Sequence, residues 1–491
     1  MANKLKEPGQ LLFAEWNIDL DEVPIEQLDH YIAVENYLKD DEELLPEATN
    51  LEKVIDYLEA FHHLYEVEAW ERAREILSMS LDTPINEELH GQLYIWGYYR
   101  EQIDLYSSLL GKLSPTLDIM FLRGLGVAYR LLAVYKQAID YSQQSLALAR
   151  KLGDQAGEGA ALGNLGNVYL FLGDYHQAIK YHQQDLAIAR KLGDQARKGI
   201  ALGNLGIAYY YLGDYSKAID YYKAQLAFTP SIDRLHEGTA LGNLGNTYQS
   251  LGDYRVAVDY HQQHLIIARE SGDRAGEGTA LGNLGSAYNF LGEYDRAIDY
   301  CKQHLMITQE IGDRSGEGKG LGNLGNIYYS LEKYNQAINY YQRHLAIARS
   351  ISDREGEGTA LGNLGIAYDS LEEYDQAIEY YQQHLVIARL IGDRAGEGRT
   401  LCNWGITLFK IERYSEALKY SQTALKIVSE IGVRSIEANT FYLLAKLHQK
   451  LGHRDLAIEY CNQALAIATE LGIPLAKECQ ELKEKLLSEK T

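Results

Sequence analysis

Gly163-Asn164-Leu165-Gly166 sets two glycines three residues apart around an amide, a spacing with which backbone N–H groups can be brought to a phosphate. That chemistry also needs a strand before the loop and a Lys with Ser or Thr after its last glycine, and neither is present. The stretch is not unique either. Leu-Gly-Asn-Leu-Gly begins at Leu162, Leu202, Leu241, Leu281, Leu321 and Leu361, and returns as Leu-Cys-Asn-Trp-Gly at Leu401. A period of 40 residues, shortened once to 39 between Leu202 and Leu241, marks an array of repeats, not a nucleotide site.

The other residues capable of chemistry follow the same period. His264, His304, His344 and His384 stand one per unit. Ligands of one metal must converge to about 2 Å from it, whereas successive helices pack about 10 Å apart. These histidines are expected at polar packing positions, with a weak shared pH response and metal binding as the alternatives. Only His264 has a near neighbour, His261. Cys301, Cys402, Cys461 and Cys479 are far apart and form no Cys-x-x-Cys, so they read as buried thiols. Carboxylates such as Asp273 and Glu277 fall at helix starts, where the backbone dipole favours them. Ser, Cys and His do not gather around any unit. The expectation is a non-catalytic protein with no cofactor and no metal.

The elements that position these residues are helices. Leu162, Leu165, Tyr169 and Leu172 form one apolar stripe, and Tyr175, Ala178, Ile179, Leu186 and Ala189 form a second, so each unit is two amphipathic helices. Gly173 suits the left-handed residue that ends the first helix and Asp174 the cap of the second. The same stop and cap recur as Gly153-Asp154, Gly193-Asp194 and Gly272-Asp273. A mid-helix glycine is unfavourable by roughly 0.5–1 kcal/mol. Gly166 is therefore expected to let the two helices approach closely, facing Ala178.

Leu162, Gly166, Tyr169, Tyr175, Ala178 and the Ala/Leu run that follows resemble the tetratricopeptide repeat (TPR) in a 40-residue form. The segment DYHQQHLIIARESGDRAGEGTALGNLGSAY, residues 259–288 at its fullest, has the rhythm of the Pins (LGN) type arrays of cell-polarity adaptors. The resemblance implies an all-α fold, a TPR α-solenoid in which antiparallel helix pairs wind into a right-handed superhelix. Residues 119–471 hold about nine units. Residues 51–118 keep the aromatic pattern without the paired glycines and read as divergent repeats forming an N-terminal cap, after an acidic lead-in at 1–50. Residues 472–491 read as a C-terminal capping helix begun by Pro474.

Charge narrows the partners. The net charge is −22, and residues 1–118 carry 26 acidic against 8 basic side chains, leaving only −4 to the rest. Nucleic acid is disfavoured, since phosphate binding depends on Lys/Arg clusters. The run Lys39-Asp40-Asp41-Glu42-Glu43 is a solvated face or a dock for a basic partner. The start lacks a signal-peptide core and no uncharged stretch reaches the roughly 18 residues of a membrane span. A cytoplasmic location without membrane insertion is expected, with self-association left open.

Function then falls to the surface of the first helices. Half a turn from Leu162, Gly166 and Tyr169 lie Ala160, Asn164, Asn167 and Phe171. The same register gives Asn164, Asn204, Asn243, Asn283, Asn323, Asn363 and Asn403. A carboxamide donates and accepts, so such a ladder can hold the backbone of an extended peptide; the resemblance to Pins-type arrays implies the same role. The alternative is that each Asn bonds the neighbouring repeat. Variable neighbours would supply specificity: Asn167, Asn246 and Asn326 with Ile207, Ser286, Ile366 and Ile406, and Phe171, Tyr211 and Phe290 with Ser250, Ser330, Ser370 and Lys410. Lys319 and Arg399 could meet an acidic side chain. The expected function is a scaffold or adaptor binding a protein or peptide segment in the groove, or a regulatory sensor whose coil changes shape on binding a peptide or small molecule.

Overall fold

The computed structural model describes residues 7–39, 49–81, 83, 87–227 and 234–488. Asp40 to Glu43 of the acidic run, and the irregular step at 228–233, lie outside the described residues. Of the described residues 84% are helical and none lies in a strand, and from Pro115 to Glu470 their helices repeat one paired arrangement. Among the described residues the only β-type pairing is an isolated bridge between Ser80 and Glu88. The chain divides into two compact units, 1–232 and 233–491.

The first unit begins with helices Glu7–Trp16, Ile25–Lys39, Ile55–Glu66, Trp70–Leu77, Leu89–Trp96 and Tyr99–Leu109. Their apolar faces share one core of Val34, Phe61, Leu64, Leu93 and Leu109, which continues through Phe121 and Leu125 into the first repeated pair. Three pairs follow: Pro115–Leu131 with Tyr135–Leu152, Gln155–Phe171 with Tyr175–Leu192, and Gln195–Leu212 with Tyr215–Leu226.

The second unit contains six pairs: Arg234–Ser250 with Tyr254–Ser271, Arg274–Phe290 with Tyr294–Glu310, Arg314–Ser330 with Tyr334–Ser350, Arg354–Ser370 with Tyr374–Ile391, Arg394–Lys410 with Tyr414–Ile431, and Arg434–Lys450 with Arg454–Glu470. A last helix, Leu475–Ser488, buries Leu475, Cys479 and Leu486 against the pair before it and exposes Lys477, Glu478, Glu481 and Lys485. No helix among the described residues is long and apolar enough to cross a membrane.

The local chemistry repeats as its sequence does. Gly153, Gly193 and Gly272 end their helices at φ 72°, 69° and 71°. Asp154, Asp194 and Asp273 then cap the next helix, their carboxylates accepting from the N–H three residues on, as Gly157 does to Asp154 at 2.9 Å. Leucines of the repeated motif, such as Leu281, Leu284, Leu361 and Leu364, are fully buried.

Gly166 packs closely on the second helix, and at the equivalent Gly126, Gly285 and Gly405 the carbonyls of Ala138, Ala297 and Ala417, counterparts of Ala178, stand 3.4, 3.2 and 3.6 Å from where a Cβ would be. The missing side chain of Gly166 makes room for the His182 ring, one turn further along the second helix. The corresponding pairs are Gly206 with Tyr222, Gly245 with His261, Gly325 with Tyr341 and Gly365 with Tyr381. Where the facing residue is smaller, Ser142 opposite Gly126 and Cys301 opposite Gly285, a Cβ would still stand only 2.5 and 2.4 Å from it, so the glycine answers the close approach of the two helices as well as the ring. Partly exposed tyrosines close each pair, for example Tyr169 stacked on Tyr181 and Tyr368 on Tyr380, with centroids 5.4 and 5.3 Å apart.

Candidate functional site

Every asparagine of the seven-membered register lies at the middle of a first helix, and all seven side chains are half-buried. Asn164 and Asn204 belong to the first compact unit, the other five to the second. Asn164 Nδ2 donates to the Arg123 carbonyl at 3.5 Å and Asn323 Nδ2 to the Gly282 carbonyl at 3.4 Å, each in the preceding first helix. Asn363 Nδ2 donates to Asn326 Oδ1 at 3.5 Å. These bonds sit at the long limit of hydrogen bonding. The side chains of Asn204, Asn243, Asn283 and Asn403 make no hydrogen bond among the described residues.

In the next register, Asn167 and Asn246 are half-buried and Asn326 is exposed. Asn326 Oδ1 is already engaged, accepting from the Tyr341 hydroxyl at 2.8 Å. Phe171, Tyr211 and Phe290 are 59%, 58% and 55% exposed at the ends of their first helices. They also pack between pairs: Tyr211 stacks on Tyr175 at 5.8 Å, Phe290 on Tyr254 at 5.0 Å, and the Arg130 guanidinium lies over Phe171 at 5.2 Å. Lys410 is tied to Asp369 at 2.5 Å, so its charge is not free. Lys319 and Arg399 are exposed.

A cleft of about 240 Å³ opens between Arg354–Ser370 and Arg394–Lys410, lined among others by Thr359, Asn363, Ile366, His384, Arg399 and Asn403. Its donors and acceptors can be assigned. Thr400 Oγ1 donates to the Gly396 carbonyl at 2.8 Å and so must accept from His384 Nδ1, also at 2.8 Å. The neutral ring then carries its lone pair on Nε2. Burial holds the His384 imidazole below its ordinary pKa; Asp393 opposes that shift and Arg399 adds to it.

The histidine column occupies the seams between successive pairs. His264, His304, His344 and His384 are all buried, each beside glycines of its own first helix. His304 places Nδ1 2.6 Å from the Gly278 carbonyl and Nε2 3.0 Å from that of Gly316 in the next pair. Among the described residues no three His, Cys, Asp or Glu side chains gather as ligands of one metal would. Burial also lowers His264 and His344. In the first unit the same column holds Asp185, whose carboxylate meets Arg197 at 2.6 Å. Burial pushes Asp185 upward in spite of that guanidinium.

Sequence reasoning missed the charged clamp of each seam. Glu277 was expected only as a dipole partner; it is buried and accepts from Arg269 of the preceding pair at 2.8 Å and from Arg274 of its own helix at 2.5 Å. Arg274 also reaches Glu310. Glu357 repeats this with Arg349 and Arg354, and Glu397 with Arg389 and Arg394. Burial raises the Glu277 and Glu357 carboxyls, but their arginine bonds outweigh it and both end below the ordinary range. The signal was legible as Asp-Arg-x-Gly-Glu, an Arg three residues before each buried Glu.

A family model for the tetratricopeptide repeat matches residues 116–191, 157–229, 236–310, 318–389 and 397–470. No curated protein sequence matches the chain. Among solved structures, the apo form of the quorum sensor NprR from B. thuringiensis aligns with a TM-score of 0.50 at 17% identity, over 69% of this chain and 99% of that one. A Rap protein complexed with competence and sporulation factor aligns at 0.48 and 16%, over 70% and 99%. The PH0952 signal-transduction ATPase from Pyrococcus horikoshii, with a tetratricopeptide repeat sensor, aligns at 0.46 and 16%, over 93% and 74%. These likenesses concern the fold; the narrower likeness to Pins-type arrays rests on residue rhythm alone.

Proposed function

This chain belongs to the tetratricopeptide repeat family, and from that premise we propose that it is a non-catalytic scaffold whose first helices hold an extended peptide or a flexible protein segment. The observation that carries this reading is the amide register. Asn243, Asn283 and Asn403 present half-buried carboxamides with no hydrogen bond among the described residues, and those of Asn323 and Asn363 are held only by long ones. A carboxamide can bond both the N–H and C=O of a peptide backbone, largely whatever that peptide's sequence. Within the second unit, Ile366 and the exposed ring of Phe290 add apolar contact. The ligand is protein and not nucleic acid, and the work is done in the cytoplasm, a reducing compartment that suits four unpaired, buried thiols.

Replacing Asn283, Asn323 and Asn363 together with Ala should abolish capture of a random extended-peptide library while helicity and melting stay near those of the parent. Unchanged capture with the fold intact would remove the proposal.

A second reading, that of a sensor, rests on the cleft: its walls come from two successive pairs, so an occupant bears on how they pack. A bound peptide should then change the radius of gyration in small-angle scattering. An unaltered radius at saturation leaves the scaffold alone.

A further inference from the structure

In the five first helices between Arg234 and Lys410, all but two of the Lys and Arg side chains have a carboxylate partner. Arg234, Arg274, Arg314, Arg354 and Arg394 each hold the Glu three residues on, and Lys410 holds Asp369. Lys319 and Arg399 are exposed and have no ion pair among the described residues. They occupy the same register two pairs apart, with Thr359 between them.

Arg399 borders a built depression. Gly358 and Gly362 leave its floor open to the His384 ring; a Cβ on Gly362 would stand 2.9 Å from His384 Nδ1. Around it stand the amides of Asn363 and Asn403 and the apolar Ile366. Two carboxylates also line the cleft. That of Asp393 is committed to the Gly396 N–H at 2.8 Å. Glu355 is exposed and has no partner among the described residues, so it repels an acid from its own side and leaves Arg399 as the anchor.

Resting on the scaffold reading, we propose that the ligand is an extended acidic peptide whose two carboxylates, about six residues apart, meet Lys319 and Arg399. The spacing follows from the register. Successive helices pack about 10 Å apart, so two pairs separate the cations by about 20 Å, and an extended chain advances about 3.3 Å per residue. The amides between hold the backbone, and the cations fix which stretch of backbone is held.

The test uses the full chain and fluorescent, C-terminally amidated peptides of about a dozen Ser and Ala residues carrying two Glu at separations from about two to about ten. Anisotropy should be greatest near a separation of six. Arg399→Gln and Lys319→Gln should each weaken that peptide about tenfold and erase the spacing preference. Glu355→Gln should strengthen binding. A peptide with one Glu and a free terminal carboxylate at the same spacing shows whether the Arg399 anchor takes a side-chain or a terminal acid. Affinity that ignores the number and spacing of Glu, indifference to Arg399→Gln, or weakening by Glu355→Gln overturns the proposal. If the asparagine triple variant still weakens those peptides, the scaffold reading survives that loss; if no peptide binds at all, both fall.

Discussion

A Cβ placed on Gly365 would lie 2.5 Å from Cε1 of Tyr381, a ring that is 2% exposed. The glycine is therefore a space requirement set by the facing helix, not a ligand-binding device. Gly365→Ala should destabilise the second unit by about 1–3 kcal/mol, the usual range for overpacking. The relationship also predicts coupling: with Tyr381→Ser in place, the same Gly365→Ala should lose most of its effect. Additive losses in denaturant melts would show that the glycine acts through something else.

Acid should loosen both units in two stages. Burial lowers His182 from 6.5 to about 4 and His261 from 6.5 to about 3. Among the described residues neither ring nitrogen of either side chain has a hydrogen-bond partner. Below pH 6.5 the unfolded chain takes up a proton that the folded site refuses, so stability is full above that pH and falls as pH drops toward 4. Each site contributes on the order of 3 kcal/mol to this loss. The Glu277 and Glu357 carboxyls are lowered, so their contribution is present above the ordinary carboxylate range and disappears only in stronger acid. Unfolding free energies measured from pH 7 to 4 should flatten in His182→Phe; an unchanged slope would contradict the assignment.

Glu357 is buried while Arg349 and Arg354 are half-exposed, so its removal strands no buried cation. Glu357→Ala should destabilise by about 1–2 kcal/mol, with solvent screening of the arginines keeping the loss modest. Part of that difference should vanish in about 1 M salt. A loss independent of salt would mean that packing, not charge, is what Glu357 supplies.

Glu332, Glu372 and Glu412 end their helices at φ 59°, 61° and 60°, in the register where Gly173, Gly252 and Gly292 stand elsewhere. A left-handed non-glycine residue is unfavourable by roughly 1 kcal/mol. Glu372→Gly should therefore raise stability by somewhat less than that, glycine's greater freedom in the unfolded chain offsetting part of the gain. A fall in melting temperature would refute the argument.

The sequence by itself determined the all-α repeat. Period, apolar stripes, glycine stops and aspartate caps are local, and each specifies its helix without reference to the rest of the chain. Thus Gly153-Asp154 and Gly193-Asp194 are legible in the sequence alone, and so is the register of Asn164 to Asn403. Tertiary structure decided what each register touches. Gly166 makes room for the His182 ring, Glu277 is gripped by an arginine of the preceding pair, and Asn326 accepts a hydrogen bond while the Asn283 side chain makes none among the described residues. Those outcomes depend on how far one helix slides and turns against the next. That quantity is set by the summed packing of side chains from two or three helices at once, and no single period along the chain contains it.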